Sequence, residues 1–365
     1  MQGKAAGIVL LGAGHANLLA VRPLRAALPQ ARITLVDMAG HATYSGMFPG
    51  HAAGHYPAGA LRVDLTDFAD RHGIAFRRAE IMDLDPATRR VCLSGGDMLE
   101  YDVAALDIGS HGAMPELPGF AAHAVAVKPM GPLAARLAAG PAAGPAVVIG
   151  GGVAGAEMAL ALSHRGHRPV TILEAAPVFA PGLRPRTRAC LHRAFARAGI
   201  RLCLDARAAR IEAEAVVLAS GARIASALTL GVAGARAHGW PARGLPVDAG
   251  GFVRVDPYLQ VEGHPGLFAV GDCAAMMHAP RPKAGVFAVR QAPVLAQNLA
   301  AAHDGRRLRR FDPQRDYLKI IALGGRSGLA EWRGITLHGP WLWRLKDGID
   351  RRFMRGLQGA GQPRS

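Results

Sequence analysis

Two strand–turn–helix units predict an α/β fold: two parallel-sheet domains, the second inserted in the first, followed by a short C-terminal segment. The first unit is IVLLGAGHANLLAV (8–21), where an apolar run meets Gly12 and Gly14 and passes into a helical stretch. The second is PAVVIGGGVAGAEMALAL (145–162), where Gly150, Gly152 and Gly155 complete G-x-G-x-x-G between Val147–Ile149 and an Ala-rich helical pattern. In each unit the next strand ends in an acid, Asp37 in ARITLVDMA and Glu174 in RPVTILEAA, 25 and 24 residues after the first glycine. Composition agrees: 365 residues, half of them hydrophobic and 19% charged, can bury two cores, and 46 glycines with 5% aromatics suit tight strand–helix turns.

The repeated pattern is that of a Rossmann-like dinucleotide site. The first glycine allows the tight turn, the second lets a pyrophosphate approach the backbone, and the third lets helix pack on strand. The helix start, His15–Ala16–Asn17 in one unit and Val153–Ala154 in the other, then offers N–H groups and a positive dipole end to phosphate. The acid is placed for a ribose diol. In the first unit Asn17 stands where the third glycine is expected. It is read as a tolerated substitution whose amide turns toward the pyrophosphate or the C-terminal segment, while the ring of His15 matters less than its backbone.

Between and after these units, residues 89–110 read as a hairpin followed by a strand ending at Gly109. Residues 250–274 end in the apolar strand FAVGD, which puts Asp272 at a strand's C-terminal end, where ligands of open α/β sheets gather. KAGVFAVRQAPVLAQNLAAAH (283–303) reads as a helix with one apolar face.

With these motifs in this order, the chain resembles the two-dinucleotide-binding flavoproteins of the pyridine nucleotide-disulfide oxidoreductase superfamily, over nearly its whole length. That resemblance implies an FAD-binding domain in two parts, 1–118 and 244–308, an NAD(P)H-binding domain at 119–243, and a C-terminal basic segment at 309–365. It implies non-covalent FAD held by Gly12, Gly14, His15, Ala16, Asn17, Asp37, Met38, Gly271 and Asp272. NAD(P)H would be held by Gly150, Gly152, Val153, Ala154, Gly155, Glu157 and Glu174. Lys283 is the catalytic candidate, an ammonium beside the helix start that would face the charge of reduced flavin. TYSGMFPG (43–50), KAGVFAVRQAPVLAQNL (283–299) and WLWRLKDGIDRRFM (341–354) are similar to the branch of type II NADH dehydrogenases. They are most similar to the flavoprotein module fused to selenide, water dikinase, although these residues include no kinase sequence.

The implied activity is hydride transfer from NAD(P)H to flavin and electron transfer onward to a small-molecule acceptor, a quinone being the first choice. Classical disulfide reductases of the superfamily carry C-x-x-x-x-C near residues 40–50, and HATYSGMFPGH there has no cysteine. Ala227 also stands where the family often has an aspartate. Glu174 would repel the 2′-phosphate of NADPH and favours NADH, with Arg184 and Arg186 placed to reverse that choice by folding back. The alternatives are a reductase serving a selenium- or sulfur-linked small molecule or a protein partner, and a flavin-dependent sensor or nucleic-acid-binding module.

Other features narrow the class. Cys92, Cys190, Cys203 and Cys273 show no metal or disulfide spacing, fitting a reducing cytoplasm, and Cys273 is read as buried and inert. The 15 histidines suggest no metal site; His41, His51 and His55 are read as loop residues, with proton delivery to a quinone as the alternative. The uncharged stretch 137–156 holds two prolines and six glycines, unlike a spanning helix, and the N-terminal apolar run reads as strand–turn–helix rather than a leader. Net charge is +16, and residues 306–365 carry 14 basic against 5 acidic side chains. No nucleic-acid motif accompanies this charge, and none is expected as partner. Read as a helix, 341–354 aligns Trp341, Leu345, Ile349 and Phe353 beside Arg344, Arg351, Arg352 and Arg355. That stripe suits either packing on the first domain or peripheral contact with an anionic bilayer surface, on the inner face of the membrane. A homodimer is compatible with all of this.

Overall fold

The computed structural model describes residues 7–112, 114–139 and 143–359. Lys4 before the N-terminal apolar run, residues 140–142 of the uncharged stretch and residues 360–365 of the basic segment lie outside that range.

The first glycine unit sits in a seven-stranded sheet. Gly7–Leu11 pairs in parallel with Ile33–Asp37 on one side and Met98–Leu106 on the other, and Leu267–Ala269 returns late in the chain to pair with Met98–Leu106. All five residues of Gly7–Leu11 are buried, the expected state of a parallel strand covered on both faces. The covering helices include His15–Ala27 and Gly285–His303, which pack on each other. Strand Met98–Leu106 ends three residues before Gly109, leaving Asp107–Ser110 as the turn.

The second unit sits in a five-stranded, all-parallel sheet in the order Ile200–Cys203, Val170–Leu173, Ala146–Ile149, Leu228–Gly231, Ala124–Ala126. In both sheets the glycine-turn strand lies where strand order reverses, the switch point at which a crevice opens beyond the strand ends. A three-stranded antiparallel sheet (Lys319–Ala322, Gly328–Trp332, Ile335–Gly339) and the 19-residue helix Pro340–Gln358 complete the chain. That helix buries Leu342, Met354 and Leu357 and packs on both the antiparallel sheet and the strand Arg62–Asp64.

Asn17 corrects its sequence reading. It is fully buried, and its Nδ2 donates to the carbonyl of Gly12 at 2.9 Å and to those of Ala105 and Leu11 at 3.3 and 3.4 Å. The amide therefore points into the ends of two neighbouring strands, away from any phosphate and from the C-terminal segment. A glycine there would let the helix pack; asparagine instead stitches helix to strands. Asn17→Ala should cost about 1–3 kcal/mol, because it removes a buried donor from carbonyls that water cannot reach. Urea unfolding with an unchanged midpoint would refute this role.

Candidate functional site

The second unit is the simpler of the two. Gly150 has φ +118°, the tight turn, and a β-carbon at Gly155 would lie 1.9 Å from the Gly150 carbonyl oxygen, so only glycine lets the helix sit on the strand. A β-carbon at Gly152 would meet nothing within 4 Å. Gly152 caps the helix Val153–Arg165 without a side-chain hydrogen bond, and the first turn holds no acid. An open glycine face beside the N–H groups of Val153 and Ala154 fits a pyrophosphate. The Glu174 carboxylate accepts from the N–H of Gly151 at 2.7 Å and of Ala176 at 2.8 Å, which fixes it at the mouth of this turn.

Arg184 is not turned to that mouth. Its N–H donates to Glu331 at 2.8 Å, and its guanidinium lies over Gly334 in the C-terminal hairpin. Glu331 also accepts from Thr187 Oγ1 and Lys319 Nζ, both at 2.7 Å. Burial opposes its ionisation, but these donors outweigh burial and hold its carboxyl below the usual range.

The first unit differs in one decisive way: its helix start is already occupied by a carboxylate. Asp107, directly after strand Met98–Leu106, is buried, and its Oδ2 accepts from the N–H of Ala16 at 2.8 Å and of Asn17 at 3.0 Å. Gly14 lies so close that a β-carbon there would be 2.2 Å from the Asp107 Cγ. A β-carbon at Gly271 would be 2.4 Å from Oδ1. Burial pushes the Asp107 carboxyl up to about 7, aided by Asp272 and Asp37, against the pull of the two N–H bonds. Sequence reasoning missed Asp107. Its one signal was a carboxylate closing an otherwise apolar strand in AALDIGS.

The remaining candidates surround this point. Asp37 Oδ2 accepts from the N–H of Ala13 at 2.7 Å, while Met38 is 66% exposed at the rim. Asp272 Oδ2 accepts from Lys128 Nζ at 2.7 Å and from Ser110 at 3.3 Å; neither partner was singled out from sequence. The Gly271 N–H donates to Gln291 at 2.8 Å. Lys283 donates to the Ala274 carbonyl at 2.6 Å and lies 3.9 Å over the Phe252 ring, and burial lowers its pKa. Cys273 is buried and donates to the Val270 carbonyl at 3.1 Å; burial raises its thiol to about 12, so it is no thiolate.

His15 is engaged through its ring, which the sequence reading set below its backbone. The ring meets Tyr44 and Phe353 edge-on at 5.3 and 5.6 Å, and Tyr44 stacks on Phe353 at 4.4 Å. Burial draws the His15 pKa down to about 4, leaving a neutral imidazole at neutral pH. Tyr44 donates to Asp350 at 2.9 Å, and Lys346 donates to Asp350 and to the Gly46 carbonyl, both at 2.6 Å. From the second unit's helix, Glu157 accepts the Ala322 N–H at 2.8 Å, and burial raises its pKa against the pull of Lys346. Glu157 thus reaches away from its own glycine turn, toward the C-terminal segment. His51 and His55 bond the carbonyls of Tyr56 and Gly324 at 2.8 Å, while His41 is exposed.

The helix stripe divides. Phe353 turns inward to His15, while Trp341, Leu345 and Ile349 are 49, 42 and 47% exposed; Trp332, Ile335 and Leu337 of the hairpin are exposed as well. No helix among the described residues is long and apolar enough to cross a membrane, and none of their side chains cluster as a metal site.

The profile of the family "pyridine nucleotide-disulphide oxidoreductase" matches residues 6–293. The chain belongs to that family. It is 30% identical over 291 residues to an NADH dehydrogenase-like protein of Mycobacterium tuberculosis strain H37Rv, covering 73% of this chain and 72% of the relative. It is 24% identical over 357 residues to ferroptosis suppressor protein 1 of Xenopus tropicalis, covering 90% and 89%. Among solved structures, the fold matches sulfide:quinone oxidoreductase of Aquifex aeolicus with a TM-score of 0.81 at 18% identity, over 97% of this chain and 92% of that one. NDH2 of Plasmodium falciparum in complex with NADH matches with a TM-score of 0.76 at 13% identity, over 98% and 99%. As a member of this oxidoreductase family, the chain is a flavoprotein that works with a nicotinamide nucleotide.

Because the folded protein holds a proton on Asp107 that the unfolded chain releases near pH 4, this group's contribution to stability falls as pH rises from about 4 to about 7. Asp107→Asn should therefore unfold at higher temperature than the wild type at pH 8, by up to about 4 kcal/mol in stability, with the gap closing toward pH 4. Calorimetric melting at both pH values checks the sign.

Proposed function

We propose that this chain is an FAD-dependent NADH:quinone oxidoreductase without a redox-active disulfide. FAD would be held by the first glycine turn with Asp37, Gly271 and Asp272, and NADH by Gly150–Gly155 with Glu174. The two parts 1–118 and 244–308 form the flavin-binding domain in this reading, with 119–243 as the nucleotide-binding insertion. Flavin supplies the two-electron chemistry that links a hydride donor to the acceptor.

The chain's own residues orient and seal. Glu174, held by two backbone N–H groups, accepts a ribose hydroxyl and disfavours a 2′-phosphate, and the engagement of Arg184 at the hairpin supports NADH over NADPH. Lys128 pairs with Asp272, and Lys283, held by the Ala274 carbonyl, feels the same carboxylate's charge. The inert Cys273 leaves a direct acceptor rather than a thiol relay.

One observation carries the quinone reading: a single helix, Pro340–Gln358, touches the fingerprint through Phe353 on one face and exposes Trp341, Leu345 and Ile349 on another. An acceptor that dissolves in lipid would meet the protein along that helix, with Arg344, Arg352 and Arg355 facing anionic headgroups.

The purified chain, mixed anaerobically with NADH, should lose its flavin absorbance, and a short-chain ubiquinone should restore it. Bleaching that no quinone reverses would overturn the acceptor. Replacing Trp341, Leu345 and Ile349 together by serine should lower binding to anionic vesicles by about tenfold or more, since each buried apolar side chain contributes roughly 1.5–3 kcal/mol. NADH bleaching in solution should stay intact. Glu174→Ala should narrow the preference for NADH over NADPH by about tenfold, read as the ratio of kcat/KM values.

A further inference from the structure

The two glycine turns of this chain treat an incoming phosphate differently. The second leaves its helix N-terminus open, whereas the first has spent the N–H groups of Ala16 and Asn17 on a single oxygen, Oδ2 of Asp107. The other oxygen, Oδ1, makes no hydrogen bond among the described residues and faces the Gly14–Gly271 gap. A dinucleotide diphosphate placed at this turn would lie beside a buried carboxylate. Two like charges in a poorly solvated cradle cannot both stay ionised.

We propose that Asp107 is a cofactor-contacting residue of the first site that binds FAD in its protonated form, with Oδ2 holding the helix N–H groups and Oδ1–H donating to a diphosphate oxygen. FAD binding above neutral pH then takes up one proton from solvent, which moves onto Oδ1 with no other bond made or broken. This rests on the FAD reading above.

The groups facing Asp107 leave it as the one that changes. From the helix His15–Ala27 come the two N–H groups and the imidazole of His15, already neutral. From the segment after Leu267–Ala269 come Asp272, paired with Lys128, and the protonated thiol of Cys273. From the end of Ile33–Asp37 comes Asp37, bound by the N–H groups of Ala13 and Ala39. Helix Gly285–His303 contributes the neutral Gln291, and Lys283 before it is bound to Ala274. Asp272 and Asp37 both push the proton toward Asp107. An added diphosphate pushes the same way.

The test is calorimetric titration of the flavin-free full chain with FAD at pH 8, in buffers of different ionisation enthalpy, for the wild type and Asp107→Asn. Asparagine keeps the acceptor for the two N–H groups and offers a fixed donor in place of Oδ1–H. The wild type should take up close to one proton per FAD and Asp107→Asn none. At pH 8 the variant should bind FAD about tenfold more tightly than the wild type, and at pH 6 about equally, as a carboxyl near 7 requires. FAD binding to the wild type without proton uptake, or equal uptake in both proteins, overturns the role of Asp107 while leaving the FAD reading standing. A wild type that binds no FAD overturns both.

Discussion

The first glycine turn depends on a pair of hydrogen bonds, from the N–H groups of Ala16 and Asn17 to Asp107. A helix start buried beyond the ends of central strands needs a partner for these donors. Here the acceptor is a carboxyl that follows a strand adjacent in the sheet but about ninety residues distant in sequence. Several neighbours follow from it: Gly14 and Gly271 must lack a β-carbon, and Gln291 must hold the Gly271 N–H at the correct distance. Asn17 locks the same helix to the ends of the same two strands.

The C-terminal segment is tied in by a second set of polar bonds, each to a different part of the chain. Tyr44 and Tyr56 donate to Asp350 and Asp347, Arg71 donates to the Leu357 carbonyl, and Glu157 accepts from Ala322. Glu331 gathers Arg184, Thr187 and Lys319. A buried carboxylate with this many donors is stable only while all are in place, so the hairpin and the helix Pro185–Ala198 hold each other in register.

What was legible in the sequence was local: glycines, a following helix and an acid at a strand end are fixed by neighbours within a few turns of chain. Gly150, Gly155, Glu174 and the helix carrying Gln291 lie as their spacing suggests. What was not legible depends on strands that meet only in the folded sheet. Asp107 lay in a hydrophobic run with no partner in view, and Lys128 reaches Asp272 across 144 residues. Asn17 was misread for the same reason, since the carbonyl of Ala105 enters its surroundings only after the parallel pairing forms. The 341–354 stripe was visible as a stripe, but its splitting between Phe353 inside and Trp341 outside needed the aromatic ring of His15 to be located first.

The C-terminal helix, by sequence a basic appendage, is in the fold a wall of the first glycine turn. Phe353 and Tyr44 close over the imidazole of His15, and Lys346 braces the loop at Gly46. A single cut in the exposed turn at Arg333–Gly334 would therefore do more than release a surface element. It would leave the helix that covers His15 joined to the rest of the chain only by noncovalent contacts: the pairing of Ile335–Gly339 with Gly328–Trp332 and the bonds made by Asp347, Asp350 and Lys346. The same nineteen residues thus cover His15 with Phe353 and carry the exposed Trp341, Leu345 and Ile349.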